Sequence, residues 1–156
     1  MLTLFIDADA CPVKDEVYKV AKRHGLPVIV VANSRMRIPE DKDIRLEIVS
    51  DGFDAADDWI VERSGAGDIV ITGDILLASR CLKNGAVVIG TTGRPFTEEN
   101  IGDAVASREM SAELREMGVM RGGPAPFQPK DRGIFLNQLD SSIHAIRRKY
   151  KSAPPG

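Results

Sequence analysis

Histidine, cysteine and aromatic residues are scarce in this chain. Cys11 and Cys81 are its two cysteines, too few for a disulfide framework or a cysteine zinc site. His24 and His144 are its two histidines; they stand without metal-ligand spacing and read as helix-surface residues, while Cys81 reads as packing. Cys11 falls at an expected helix N-terminus, where the helix dipole favours a thiolate, but the sequence names no base for it. No run of 18 or more apolar residues is present, which excludes a helical membrane span. Leu2 to Ile6 is too short for the apolar core of a signal peptide and runs into Asp7, so it reads as a strand. A cytoplasmic protein is the expectation.

What is abundant is charge, unevenly spread. The net charge of −2 combines a first 120 residues with 14 Lys and Arg against 21 Asp and Glu, and a remainder with seven against two. The basic residues of that remainder are Arg121, Lys130, Arg132, Arg147, Arg148, Lys149 and Lys151. A basic end beside an acidic site suits an enzyme acting on phosphates, and it suits equally a solvated basic helix. A length of 156 residues fits one domain with a sizeable core, expected over 1–150, with 151–156 as a disordered tail.

Strand and helix signals alternate. Residues 2–7, 28–32, 69–72 and 86–89 are apolar runs typical of buried strands, and Ile44, Leu46 and Ile48 alternate with Arg45 and Glu47 as in a half-exposed edge strand. Helices are expected from Pro12 to His24, Asp54 to Ser64, Asp74 to Lys83, Glu98 to Met117 behind a Thr97 cap, and Arg132 to Lys149. Residues 90–95 read as a glycine- and threonine-rich loop, and 121–130 as a glycine- and proline-rich one. Such alternation predicts an α/β fold, three-layer α/β/α with a mostly parallel sheet. Strand order 3-2-1-4-5 sets the first and the Ile69 strands side by side with a switch point between them. In the last helix Ile134, Phe135, Leu136, Leu139, Ile143 and Ile146 must bury against this domain or a second subunit, so a homo-oligomer is one outcome.

Acidic residues fall where such sheets place ligand sites. Asp7 and Asp9 follow the first apolar run, Asp74 follows the Ile69 run, and Asp54, Asp57 and Asp58 share one face of a helix at i, i+3 and i+4. Repelling carboxylates at strand ends favour a hard cation, Mg2+ or Mn2+. Asp7, Asp57 and Asp74 are the candidate catalytic ligands, with Asp9 and Asp58 as further metal ligands. Asp9 and Asp54 serve equally well as helix caps. Such ions activate water and neutralise a phosphodiester, and Lys14, Arg94, Lys130 and Arg132 are candidates to hold its phosphates, with Arg35 and Arg37 beside them. Thr72 supplies a hydroxyl near the site or only packs.

These motifs resemble a known family. Phe5-Ile6-Asp7-Ala8-Asp9-Ala10-Cys11-Pro12-Val13-Lys14, Asp54-Ala55-Ala56-Asp57-Asp58-Trp59-Ile60, Asp68-Ile69-Val70-Ile71-Thr72-Gly73-Asp74 and Arg121-Gly122-Gly123-Pro124-Ala125-Pro126-Phe127 are similar to signatures of the YaiI/YqxD family of uncharacterised bacterial proteins. The resemblance implies a PIN-like fold, a superfamily of metal-dependent ribonucleases whose pattern Asp7, Asp57-Asp58-Trp59-Ile60 and Thr72-Gly73-Asp74 match. A fourth acid usual in those nucleases has no clear counterpart; Glu40, Asp41 and Asp43 are positional guesses. Leu76 stands where the family often has proline and Thr92 where it often has arginine, which leaves Arg94 as the substitute.

Three functions remain open. The first is a metal-dependent nuclease acting on RNA or single-stranded nucleic acid. The second is a non-catalytic module of the same fold that binds nucleic acid or protein. The third is a haloacid-dehalogenase-type phosphatase with Asp7 as nucleophile and Asp9 as acid/base, although Ala10-Cys11-Pro12 departs from that family's pattern.

Overall fold

In the computed structural model, residues 2–8, 11–49, 55–102 and 128–152 are described. A six-stranded sheet runs in the order β3-β2-β1-β4-β5-β6. The strands are β1 (Leu4–Asp7), β2 (Val28–Ala32), β3 (Ile44–Ile48), β4 (Ile69–Ile71), β5 (Val87–Ile89) and β6 (Pro95–Phe96). The first five are parallel, as the alternation of strand and helix signals predicts, and β6 is antiparallel to β5. The sheet is thus longer by one strand than expected. Pro95–Phe96 is too short to show any periodicity, and Pro95, lacking an N–H, suits an outermost strand.

The helices are α1 (Lys14–His24), α2 (Ala55–Arg63), α3 (Ile75–Lys83), α4 (helical at 98–102) and α5 (Pro129–Ser152). Helix α1 begins after Pro12, which lies in the preceding turn, and ends at Gly25 in the left-handed region at φ 65°. There the Leu26 amide reaches back to the Ala21 carbonyl at 2.9 Å, the closure a left-handed C-terminal residue permits. The Thr97 side chain accepts from the Asn100 amide and Asn100 returns the bond to the Thr97 amide, so Thr97 caps α4 reciprocally. Helix α5 extends further at both ends than the apolar spacing predicts, because Pro129 is tolerated in a first turn and the charged final turn carries no apolar signal. Asp9, Asp54, the remainder of the helix expected to Met117, the loop 121–127 and the tail 153–156 lie outside the described residues.

Strand parity divides the core into two layers. Leu4, Ile6, Val28, Val30, Ile69 and Ile71 pack with α1 and with Phe135, Leu139 and Ile143 of α5. Phe5, Val31, Val70 and Val88 face the opposite way, onto Ala56 and Ile60 of α2 and Leu77, Ala78 and Cys81 of α3. Helices therefore cover both faces, the condition under which parallel strands read as continuous apolar runs. The apolar stripe of α5 is buried within this chain: Phe135, Leu139 and Ile143 have no exposed surface. The Ile134 side chain, about half exposed at 51 %, is the exception.

Beneath the sheet's amino end, Asp68 ties two strands together. Its carboxylate accepts from the Thr3 amide at 3.1 Å and the Gly65 amide at 3.1 Å, yet burial holds its pKa above the usual carboxylate value. On the far side of the sheet, Gly93 sits at φ 90°. A Cβ there would lie 2.8 Å from backbone atoms of Ile134 and Phe135. Only glycine fits both the conformation and the close approach, and this contact seats the 90–94 loop on α5.

Candidate active site at the carboxyl end of the sheet

Parity also aims the first acidic residue. Asp7 follows Phe5 at a spacing of two, so its side chain leaves the sheet on the α2/α3 face. It is 8 % exposed. Register sets Ile6 opposite Ile71, which places Thr72 beside Asp7 on that same face. The fully buried Thr72 hydroxyl donates to Asp7 Oδ2 at 2.8 Å and accepts the Asp74 amide at 2.9 Å. A single hydroxyl thus orients the strand-end carboxylate and fixes the start of α3.

Asp74 is the N-cap of α3, its Oδ1 accepting from the Leu76 amide at 2.9 Å and the Leu77 amide at 3.3 Å. A cap carboxylate at a helix start is favoured by the dipole. Asp57 lies half-buried in the first turn of α2. Its charge and that of Asp7 both raise the pKa of the Cys81 thiol, adding to the larger effect of burial. A bond from Ser64 and the Arg80 charge pull that pKa down less strongly. Asp7 ends β1, Asp74 follows β4 and Asp57 opens α2, so all three lie toward the carboxyl end of the sheet, the end at which open α/β sheets bind ligands.

The other candidates distribute differently. Asp58 is exposed and pairs with Arg80 of α3 at 2.8 Å. Lys14 Nζ donates to the Cys11 carbonyl at 2.9 Å. Arg94 and Lys130 are exposed. Arg132 donates to the Pro12 carbonyl at 3.1 Å and to Glu16 Oε1 at 2.9 Å, docking α5 on α1. Glu16 packs on the α1/α5 side, its Oε2 buried without a hydrogen-bond partner. Asp41 and Asp43 precede β3, and the Asp43 carbonyl accepts from the Val28 amide that opens β2. These two acids therefore lie at the amino end of the sheet, away from Asp7 and Asp74. Cys11 is 4 % exposed, and burial pushes its thiol up, outweighing the Val13 amide and the Lys14 charge; the expectation of a favoured thiolate is corrected.

Sequence spacing missed a different cluster. His24 Nε2 lies 2.7 Å from Asp140 Oδ1, and His144 Nε2 lies 3.4 Å from Asp140 Oδ2. Among the described residues this is the trio whose donor atoms all come within 4.8 Å of one another. The reading of both histidines as isolated surface residues is thereby corrected. Asp140 and His144 stand at i, i+4 on one helix, a spacing that could have flagged them; His24 is added by tertiary packing alone. The expected trio of Asp7, Asp57 and Asp74 does not meet that spacing. No helix among the described residues is long and apolar enough to cross a membrane.

Comparison with known proteins places the chain in a lineage. The model of the uncharacterised YaiI/YqxD family matches residues 5–145. A UPF0178 protein of Rhodopseudomonas palustris strain BisB18 is 53% identical over 150 residues, covering 96% of this chain and 97% of that protein. A UPF0178 protein of Nitrobacter winogradskyi is 55% identical over 147 residues, 94% of each chain. One from Bradyrhizobium sp. strain ORS 278 is 53% identical over 148 residues, covering 95% of this chain and 90% of that one. No solved structure matches. With a family match over residues 5–145 and relatives more than half identical along nearly their full lengths, the chain belongs to the YaiI/YqxD family.

Proposed function

We propose that the chain is a Mg2+- or Mn2+-dependent phosphodiesterase that cleaves RNA or another single-stranded nucleic acid. The observation that carries this reading is the Asp7–Thr72–Asp74 arrangement at the carboxyl end of β1 and β4, with Asp57 on the same face. Hard oxygen donors at that crevice fit a hard cation. Asp7 and Asp57 would hold it, with Asp74 presenting its carboxylate from the start of α3. Such an ion supplies charge neutralisation and an activated water. The PIN-like resemblance of these motifs supports the same chemistry. Arg94 and Lys130 are the basic side chains offered for phosphate contact; Arg132 contributes less because Glu16 already engages it.

A labelled single-stranded RNA incubated with wild type, Asp7→Asn and Asp74→Asn in Mg2+ and in Mn2+ tests the reading. Metal-dependent cleavage that falls at least 100-fold in both variants, with thermal unfolding little changed, is the expected result. Equal cleavage by all three proteins, or none by wild type, overturns it.

A second reading is a non-catalytic nucleic-acid-binding module. It is favoured by the two amides that already occupy Asp74 Oδ1. It predicts RNA retention that weakens steeply with salt and yields no product.

A further inference from the structure

We propose that His24, Asp140 and His144 form a cation site for a borderline transition metal of the Zn2+, Co2+ or Ni2+ class, which fastens α5 to α1. Two imidazoles and one carboxylate are the donor set such metals take, whereas Mg2+ and Ca2+ favour oxygen alone. Water would complete a four-coordinate shell.

Distances favour this set. In a tetrahedral Zn2+ site, metal–ligand bonds near 2.1 Å put ligand atoms about 3.4 Å apart. One donor atom from each of the three residues lies within 4.8 Å of the others, and His144 Nε2 is already 3.4 Å from Asp140 Oδ2. His24 Nε2 is 2.7 Å from the other oxygen, Asp140 Oδ1, a hydrogen bond that opens by roughly 0.7 Å when a metal replaces its proton, with the carboxylate turning one oxygen or both to the ion. The His24 side chain is 9% exposed, Asp140 34% and His144 54%, so one wall of the site is buried and the other is open to an entering ion. His24 also ends α1, where the partial negative charge of a helix C-terminus favours a cation.

Two arginines oppose the ion, and they define the proton balance. Arg23 lies 3.8 Å from Asp140. Arg147 contacts His24 Nδ1 at 3.1 Å and donates to the His24 carbonyl at 2.7 Å. An arginine only donates, so in the metal-free protein Nδ1 accepts and the ring proton sits on Nε2, directed at Asp140. Metal binding at Nε2 leaves the ring proton on Nδ1. Arg147 then releases Nδ1 and keeps the carbonyl. No bond to carbon changes and nothing is oxidised; the metal-free state is a hydrogen-bonded clasp and the loaded state a metal clasp.

His24 closes the helix that returns from β1, so this site lies near the amino end of the sheet, away from Asp7 and Asp74. That separation makes the test independent of the nuclease reading. Chelator-treated full-length protein is titrated with Zn2+ while thermal unfolding is followed, and with Co2+ while the visible absorption of the tetrahedral ion is followed. Wild type and Asp74→Asn should both gain about 3 °C or more at saturating Zn2+. His144→Ala, altered at an exposed position, should keep its fold and bind Zn2+ at least tenfold more weakly. Arg147→Ala should bind severalfold more tightly. Zn2+ stabilisation that is absent in wild type, is equal in His144→Ala, or is lost in Asp74→Asn overturns the site.

Discussion

Asp7 and Asp74 meet through one atom, the Thr72 hydroxyl oxygen, which gives its proton to the Asp7 carboxylate and takes the amide proton of Asp74. The acidic crevice is thus organised by a neutral residue buried between two charged ones. Its geometry is set by strand register, since the pairing of Ile6 with Ile71 brings Thr72 to Asp7.

Replacing Thr72 by valine keeps the shape and removes the hydroxyl. The buried carboxylate loses one donor and the Asp74 amide loses its acceptor, so unfolding free energy should fall by about 2 kcal/mol. Thr72→Ser, which keeps the hydroxyl, should lose about 1 kcal/mol or less for its missing methyl. Urea unfolding of the three proteins decides this; a valine variant as stable as wild type would show that the bond does not organise the site.

Asp74 carries two roles that substitution separates. Asparagine caps a helix about as well as aspartate, whereas alanine costs roughly 1 kcal/mol. On the proposed function, Asp74→Asn should therefore lose metal-dependent cleavage while remaining nearly as stable as wild type, and Asp74→Ala should lose both. Equal thermal midpoints for the asparagine and alanine variants would refute the cap's contribution.

Much of this was legible beforehand. Strand order followed from apolar runs and handed crossovers, and the closeness of Asp7 and Asp74 from their ending two adjacent runs. The use of Arg132 was not legible, because a surface arginine facing a phosphate and one facing Glu16 share the same sequence signature. Nor was the pairing of Asp58 with Arg80, which depends on how α2 and α3 lie together. The histidine–aspartate cluster needed the α1–α5 packing before His24 could find its partners. Sequence spacing reports neighbours along one helix; it is silent about neighbours across two.

Gly93 should tolerate no side chain. Alanine at φ 90° is strained by about 1–3 kcal/mol, and the overlap with the α5 backbone adds to it. A loss of about 3 kcal/mol or more is expected for Gly93→Ala in chemical denaturation. Gly102→Ala, where nothing stands within 4 Å of the new methyl, is the control and should be neutral or slightly stabilising.

Tyr18 offers a pH test. Its hydroxyl is buried without a hydrogen-bond partner, and burial, helped by the Asp15 charge, raises its pKa from 10.0 to about 12. A raised folded value means the protonated phenol is favoured by folding. The associated stability is complete below pH 10 and is lost as pH climbs toward 12. Tyr18→Phe should match or exceed wild type by up to about 1 kcal/mol at neutral pH, and its advantage should widen in alkali. Urea midpoints that converge on raising the pH would contradict this.

The bond between Thr72 and Asp7 spans 65 positions of sequence. Its central strand, β1, leaves the ribosome first, yet one of its two flanking strands, β4, is among the later ones to be made. Contacts of that separation form slowly. The carboxylates gather only when β4 docks, so a partly made chain holds Asp7 at a strand end with no crevice around it. Whatever these carboxylates do together is withheld until the fourth of the six strands has docked.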